Sequence, residues 1–268
     1  MESFNDITKF LLILSEKASK IMLKYYSPSG GISATFKDAS NDDVSPVTKA
    51  DIEINDMVIK EVKIHYPEYE ILGEEASTNN GSEKKLFVID PVDGTYMFTI
   101  GCPLFVFSAA VVINGESVSG VICNPLAKRT LIAEKGKGAY LAEENKKISV
   151  SKKSVLKEAF INLAWKDVRM AEKIIEAGAS PMQVYSIIEA SSLVATSGFD
   201  GAIFRFDSEV DIAAVKIIVE EAGGQVTDID GNEQKYDTKI NGAIVSNGLL
   251  HHELAALVKA ANISIWKK

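Results

Sequence analysis

In the stretch Ile-Asp-Pro-Val-Asp-Gly-Thr-Tyr-Met-Phe, residues 89–98, two carboxylates, Asp90 and Asp93, stand three positions apart. Pro91 and Val92 lie between them, and Gly94-Thr95 follows directly. A strand-like apolar run, Leu86–Ile89, leads in. Two like charges side by side after a buried strand repel, and the arrangement is costly unless something positive sits between them. Other acids stand where regular elements begin or end. Glu74 and Glu75 follow the run Glu70–Gly73, Asp51 opens a helix-like segment, and Asp211 lies in the first turn of another. Carboxylates fixed on rigid elements are what a functional site requires. Without a histidine cluster or a Cys-x-x-Cys pair, oxygen donors favour a hard cation, magnesium first and manganese next. Two or more such ions would relieve the repulsion between Asp90 and Asp93 and create a positive centre, whose usual partner is a phosphate oxygen. Gly94 allows close backbone approach. If a turn or helix begins there, the amides of Gly94 and Thr95 can hold an anion. Taken singly, each acid also reads more plainly. Asp51 and Asp211 serve as helix caps worth about 1 kcal/mol, Glu74 and Glu75 as loop acids, and Asp90 as a turn residue before Pro91.

The elements that must position these residues follow from periodicity. Residues 3–26 carry apolar side chains at helical spacing, and residues 51–65 do so again, ending before Pro67. Residues 25–46 read as a turn, a short strand and a polar loop, and a second polar loop follows Glu75. Residues 104–145 are β-rich runs broken by Gly and Asn, an antiparallel meander. Within it, Glu-Lys-Gly-Lys-Gly-Ala-Tyr, residues 134–140, reads as a hairpin connection, because phosphate loops normally open a helix. The second half alternates: strands near 159–165, 199–206, 225–231 and 242–248, with helices near 168–177, 186–198, 208–224 and from about 250. Gly223-Gly224 stops the third of these helices. Mixed elements throughout predict an α+β or layered α/β class.

The 268 residues are 46% apolar, enough for a sizeable core. A net charge of -8 argues against nucleic-acid binding through a basic surface. Cys102 and Cys123 are far apart and fit a reducing compartment. The acidic N-terminal segment lacks signal-peptide features, and no apolar run has transmembrane length. A soluble, cytoplasmic protein without nucleic-acid or membrane partners is expected. His65, His251 and His252 are expected at the surface.

Asp90–Phe98 is similar to the DPxDGTxxF signature of the inositol monophosphatase superfamily, lithium-sensitive and magnesium-dependent phosphomonoesterases. Three more segments resemble the family in order and spacing: Ser45–Asn55 (VTxAD), Tyr66–Glu75 (P-x(3)-I-x-GEE) and Val210–Gly224 (WDxAAxxxIxxEAGG). The resemblance covers nearly the whole chain. It implies an α+β, layered αβαβα sandwich of the sugar-phosphatase type, as one unit over 1–268 and usually dimeric. Subdomains are expected at about 1–150, with the metal motifs and antiparallel sheet, and about 151–268, a smaller α/β half.

The resemblance also implies roles. Glu74, Asp90 and the Val92 carbonyl would bind one Mg2+, and Asp90, Asp93 and Asp211 a second. A third, weaker ion would sit near Glu74. Asp51 and Thr95, with Glu74, would serve catalysis by orienting and activating the attacking water. Gly94 and Thr95 amides would hold the phosphate. Ser186, Phe204 and Arg205 would meet the substrate. Departures exist. Val210 stands at the family's Trp and Val215 at its Gly; the Gly-Ser-Ala segment is Tyr185-Ser186-Ile187. The acid that contacts inositol hydroxyls falls, by register, at Phe204 or Arg205. The implied activity is metal-dependent hydrolysis of a small-molecule phosphate ester, inositol 1-phosphate or fructose 1,6-bisphosphate. The alternatives are a 3′-phosphoadenosine 5′-phosphate phosphatase and, from another class, a non-catalytic metal- or phosphate-binding regulator.

Overall fold

Helix α1 (Asp6–Tyr25) begins where the Asn5 side chain accepts the Thr8 amide, and it turns Leu11, Leu14, Ala18 and Met22 inward. The structure is a computed structural model describing residues 4–36, 46–78, 84–163, 168–205 and 208–261. Strands β1 (Ala34–Phe36) and β2 (Pro46–Thr48) pair antiparallel ahead of α2 (Lys49–His65). The central sheet has seven strands in chain order: β3 (Glu70–Gly73), β4 (Lys85–Asp93), β5 (Val106–Ile113), β6 (Glu116–Asn124), β7 (Arg129–Glu134), β8 (Gly138–Leu141) and β9 (Lys146–Lys147). Only the β3–β4 pair is parallel; the rest is the meander expected over 104–145. A short helix, α3 (Thr95–Thr99), links β4 toward β5.

The second sheet has the order β11-β10-β12-β14-β13. Its strands are β10 (Phe160–Leu163), β11 (Ser180–Met182), β12 (Gly201–Phe204), β13 (Gln225–Thr227) and β14 (Ala243–Ser246). The helices are α4 (Val168–Glu176), α5 (Ile187–Ala195), α6 (Glu209–Glu221) and α7 (His251–Ala260).

Strand alternation assembles these into layers. In β4, Phe87 and Ile89 face a core shared with α1 and α2, whereas Leu86 and Val88 face a core shared with α5 and α6. In β12, Ala202 and Phe204 join the α5–α6 core, and Ile203 faces α4 and α7. The result is the expected αβαβα sandwich, with α5 and α6 between the two sheets. Gly120 makes the fit of α6 on β6 possible, since a β-carbon there would lie 2.6 Å from Ile217 Cγ2. Gly223, at φ +92°, ends α6 in the left-handed region, as the Gly-Gly pair predicts.

Several details differ from the sequence reading. Strand β4 does not stop before Pro91 but runs through Asp93. Elements β2, β9 and β11 go beyond the sequence reading, and α3 is the helical form of the turn or helix considered at Gly94-Thr95. Pro181 hid β11, which tolerates a proline because it lies at the sheet edge. His251 is not a surface residue. Its Nδ1 meets Ser246 Oγ at 2.8 Å and its Nε2 meets Thr227 Oγ1 at 2.9 Å, both buried. The 134–140 segment is the expected hairpin, and its anion-binding capacity is filled from within. The Gly136 and Gly138 amides each donate to the Glu221 carboxylate at 2.6 Å. Parts of both polar loops (37–45 and 79–83) and the ends of two expected strands (Trp165 and Phe206) lie outside the described residues.

Candidate metal centre

In a regular strand, residues three apart point to opposite faces. Asp90 and Asp93 escape this because the β4–β5 register shifts between them: Asp90 pairs with Ser108, Asp93 with Val106. Three steps on one strand match two on the other, a bulge that turns Asp93 back toward the face of Asp90. Asp211, in the first turn of α6, completes the group. One carboxylate oxygen from each of Asp90, Asp93 and Asp211 lies within 4.8 Å of the other two.

Glu74 emerges from β3, where Gly73 pairs with Ile89 and the Glu74 amide donates to the Ile89 carbonyl at 3.2 Å. That sets its charge beside Asp90. The Val92 carbonyl accepts the Thr95 hydroxyl at 2.8 Å, so Thr95 is aimed back at the bulge. Gly94 takes φ +85°, and an added β-carbon would lie 2.5 Å from the Leu104 carbonyl oxygen. Only glycine permits that approach. Gly94 and Thr95, both half-buried, open α3 directly after Asp93.

Asp51 joins from α2 in a capping box. Its Oδ2 accepts the Thr48 amide at 2.8 Å and the Thr48 hydroxyl at 2.5 Å. Its Oδ1 is buried with no hydrogen-bond partner among the described residues. The cap therefore uses one oxygen of the carboxylate and leaves the other available. Asp93 is held similarly. Its Oδ2 accepts the Ile188 amide at 2.8 Å and a short hydrogen bond from Ser186 Oγ, at the start of α5.

Electrostatics measures the cost of this convergence. Burial pushes the Asp90 carboxyl well above the usual carboxylate range, and the charges of Glu74, Asp93, Asp211 and Asp51 push it further. Burial lifts Asp93 to about 6, against the opposing pull of its Ser186 and Ile188 donors. Burial likewise lifts Asp51 to about 6, opposed by Thr48 and aided by Glu74. Asp90 Oδ1, like Asp51 Oδ1, is buried without a hydrogen-bond partner among the described residues. Orphaned carboxylate oxygens amid mutual repulsion fit an oxygen-coordinated divalent cation.

Ser186, expected at the substrate, is 1% exposed and has its hydroxyl turned to Asp93. Phe204 is buried in the α5–α6 core, and Arg205 follows β12 at 8% exposure. Sequence reading missed the residues that fix α5. The Glu189 carboxylate, 3% exposed, accepts Arg129 at 2.7 Å and Asn124 at 3.1 Å. Their only signal was an acid on the apolar side of a predicted helix.

The chain matches the profile of the Inositol monophosphatase family over residues 5–262. It is 36% identical to a fructose-1,6-bisphosphatase/inositol-1-monophosphatase of Thermotoga maritima, covering 79% of this chain and 82% of that one. A histidinol-phosphatase of Mycobacterium tuberculosis is 29% identical over 81% of this chain and 86% of its own length. Among solved structures, a Thermotoga maritima IMPase superposes with a TM-score of 0.84 at 29% identity, covering 96% of this chain and 98% of that one.

Proposed function

The chain belongs to the inositol monophosphatase family, and from that premise we propose that it hydrolyses the phosphate monoester of a small sugar or polyol with Mg2+ held by its acidic cluster. The observation that carries this reading is the convergence of Asp90, Asp93 and Asp211 within 4.8 Å beside the Gly94-Thr95 turn. Glu74, Asp90 and the Val92 carbonyl would hold one ion, and Asp90, Asp93 and Asp211 another. When bound, Mg2+ lowers the pKa of water and offsets charge on the phosphate oxygens.

The chain's own residues do the rest. Asp51 Oδ1 accepts a proton from the attacking water, because Thr48 occupies only Oδ2 and burial keeps the carboxylate basic for its type. Thr95, tied to Val92, orients that water. The amides of Gly94 and Thr95 donate to the phosphate, where charge builds on the equatorial oxygens. The proposal is not confined to inositol. The register position of the family's hydroxyl-binding acid carries the buried Phe204 and the nearly buried cation Arg205 instead. A second reading, histidinol phosphate, draws on the Mycobacterium tuberculosis relative.

The test is phosphate release, with and without Mg2+, from inositol 1-phosphate, fructose 1,6-bisphosphate, histidinol phosphate and 3′-phosphoadenosine 5′-phosphate. Release from either of the first two, abolished by chelation and by Asp93→Asn, is expected. Turnover that survives Asp93→Asn, or no release from any ester, would overturn the reading.

A further inference from the structure

Helix α5 carries two buried polar contacts at its start, and both reach the central sheet. At its start, Ser186 Oγ accepts the Glu189 amide at 3.0 Å, which turns the hydroxyl proton toward Asp93 Oδ2. The Ile188 amide donates to the same oxygen at 2.8 Å. Both donors on Asp93 Oδ2 therefore belong to one helical turn, and the carboxylate is aimed by the placement of that turn. Three residues on, and on the same face, Glu189 is anchored to other strands of that sheet. Its Oε1 accepts Arg129 from β7 at 2.7 Å and Asn124 from the end of β6 at 3.1 Å. Its Oε2 accepts Ser192 Oγ at 3.1 Å, and Arg129 also donates to Ser192 Oγ at 3.0 Å. Upstream, Asn162 of β10 accepts the Val184 amide at 2.8 Å.

We infer that the Arg129–Glu189 ion pair is a positioning device for the metal centre: it sets the first turn of α5 so that Ser186 and Ile188 hold Asp93 Oδ2 and leave Oδ1 for the cation. A buried carboxylate in a helix otherwise packed with Ile188, Ala190, Val194 and Ala195 needs such compensation. Apolar packing alone would seat the helix but would leave rotation about its axis loosely fixed. A buried, charge-assisted contact fixes it, because any rotation strands a charge. Asp93 is then oriented by residues that never touch substrate or ion.

This inference rests on the reading of Asp93 as a metal ligand, and the experiment separates the two. Free Mn2+ is followed by electron paramagnetic resonance as the intact protein, an Asp93→Asn variant and an Arg129→Met variant are titrated. Steady-state kinetics against Mg2+ run in parallel. Outer partners of a metal ligand typically contribute about tenfold or more in metal affinity. Arg129→Met is expected to weaken Mn2+ binding about tenfold and to raise the half-saturating Mg2+ concentration comparably. Turnover at saturating Mg2+ should fall by less than about tenfold, the lower edge of the usual loss, because saturation makes up for the weakened binding. Arg129→Lys, which keeps the charge, should recover most of the affinity. If Arg129→Met misfolds, the double variant Arg129→Met/Glu189→Gln, which removes the stranded charge, is used in its place with the same expectation. Mn2+ affinity unchanged in the folded variant, while Asp93→Asn loses it, overturns the positioning role alone. No Mn2+ binding by the parent, or undiminished binding by Asp93→Asn, overturns the metal assignment beneath it.

Discussion

Asp51 shows how one side chain serves two ends. Its Oδ2 closes the capping box with Thr48, while Oδ1 stays buried without a partner and the carboxyl sits at about 6. Asp51→Asn keeps the size and one accepting oxygen but removes the base. Turnover should fall by about 10²-fold or more, the range of general-base contributions, while half-saturating Mg2+ moves by less than about tenfold, the lower edge of the usual loss for a metal ligand's partner. A metal-affinity loss exceeding the turnover loss would make Asp51 a ligand instead. Gly94 illustrates a different constraint. At φ +85°, with the Leu104 carbonyl 2.5 Å from where a β-carbon would be, Gly94→Ala meets both strain and clash. Denaturant unfolding should show a loss of more than about 1 kcal/mol, the left-handed penalty alone. The acid spacing in the sequence signalled both residues, yet it could not divide the two oxygens of Asp51.

The capping box of α2 links helix formation to the site. Thr48→Ala removes the hydroxyl that accepts the Ala50 amide and donates to Asp51. Thermal or urea unfolding should register a loss of about 1 kcal/mol, and turnover should drop with it, because Asp51 loses one of its two holds. Thr48→Ser should restore both; stability restored without turnover would separate the cap from the site. The bulge in β4 is the other decisive element. Asp90 and Asp93 read as flanking a proline-stiffened turn, whereas the chain keeps pairing with β5 through Asp93 and shifts register between them. A pattern of residue types cannot reveal a bulge, since the missing pairing belongs to the partner strand. Helices α1, α2, α6 and α7 were legible because their apolar periods are long. Short β2, β9 and β11 were not: two or three residues carry no period, and these three lack the longer apolar surroundings that marked the equally short β13.

Over the whole molecule, the buried acids set a pH dependence that the metal should invert. Asp51 and Asp93 rise from an ordinary 3.8 to about 6, and burial and its acidic neighbours raise Asp90 as well. In the metal-free protein the folded state thus binds more protons than the unfolded chain between about pH 6 and 4, and stability rises as pH falls through that window. His251 opposes this. Burial lowers it from 6.5 to about 4, so the unfolded chain takes the proton first and stability falls on acidification. Three carboxylates outweigh one imidazole. With chelator present, the Tm should therefore rise from pH 7 to pH 5, more steeply in His251→Gln. With saturating Mg2+, the neutral-pH Tm should exceed the metal-free value, and the trend should reverse as protons displace the ion. A chelated protein least stable at pH 5 would contradict the repulsion described above. The sequence by itself determined the family, the candidate acidic residues of the site, and the order of the longer helices and strands, because residue types, spacing and periodicity are local properties of the chain. Only the tertiary structure decided that the three aspartates meet, that Ser186 faces Asp93 rather than open space, that His251 is internal, and that Arg129 reaches Glu189. Each of these depends on a register shift or on the packing of residues distant in sequence, which no local pattern encodes.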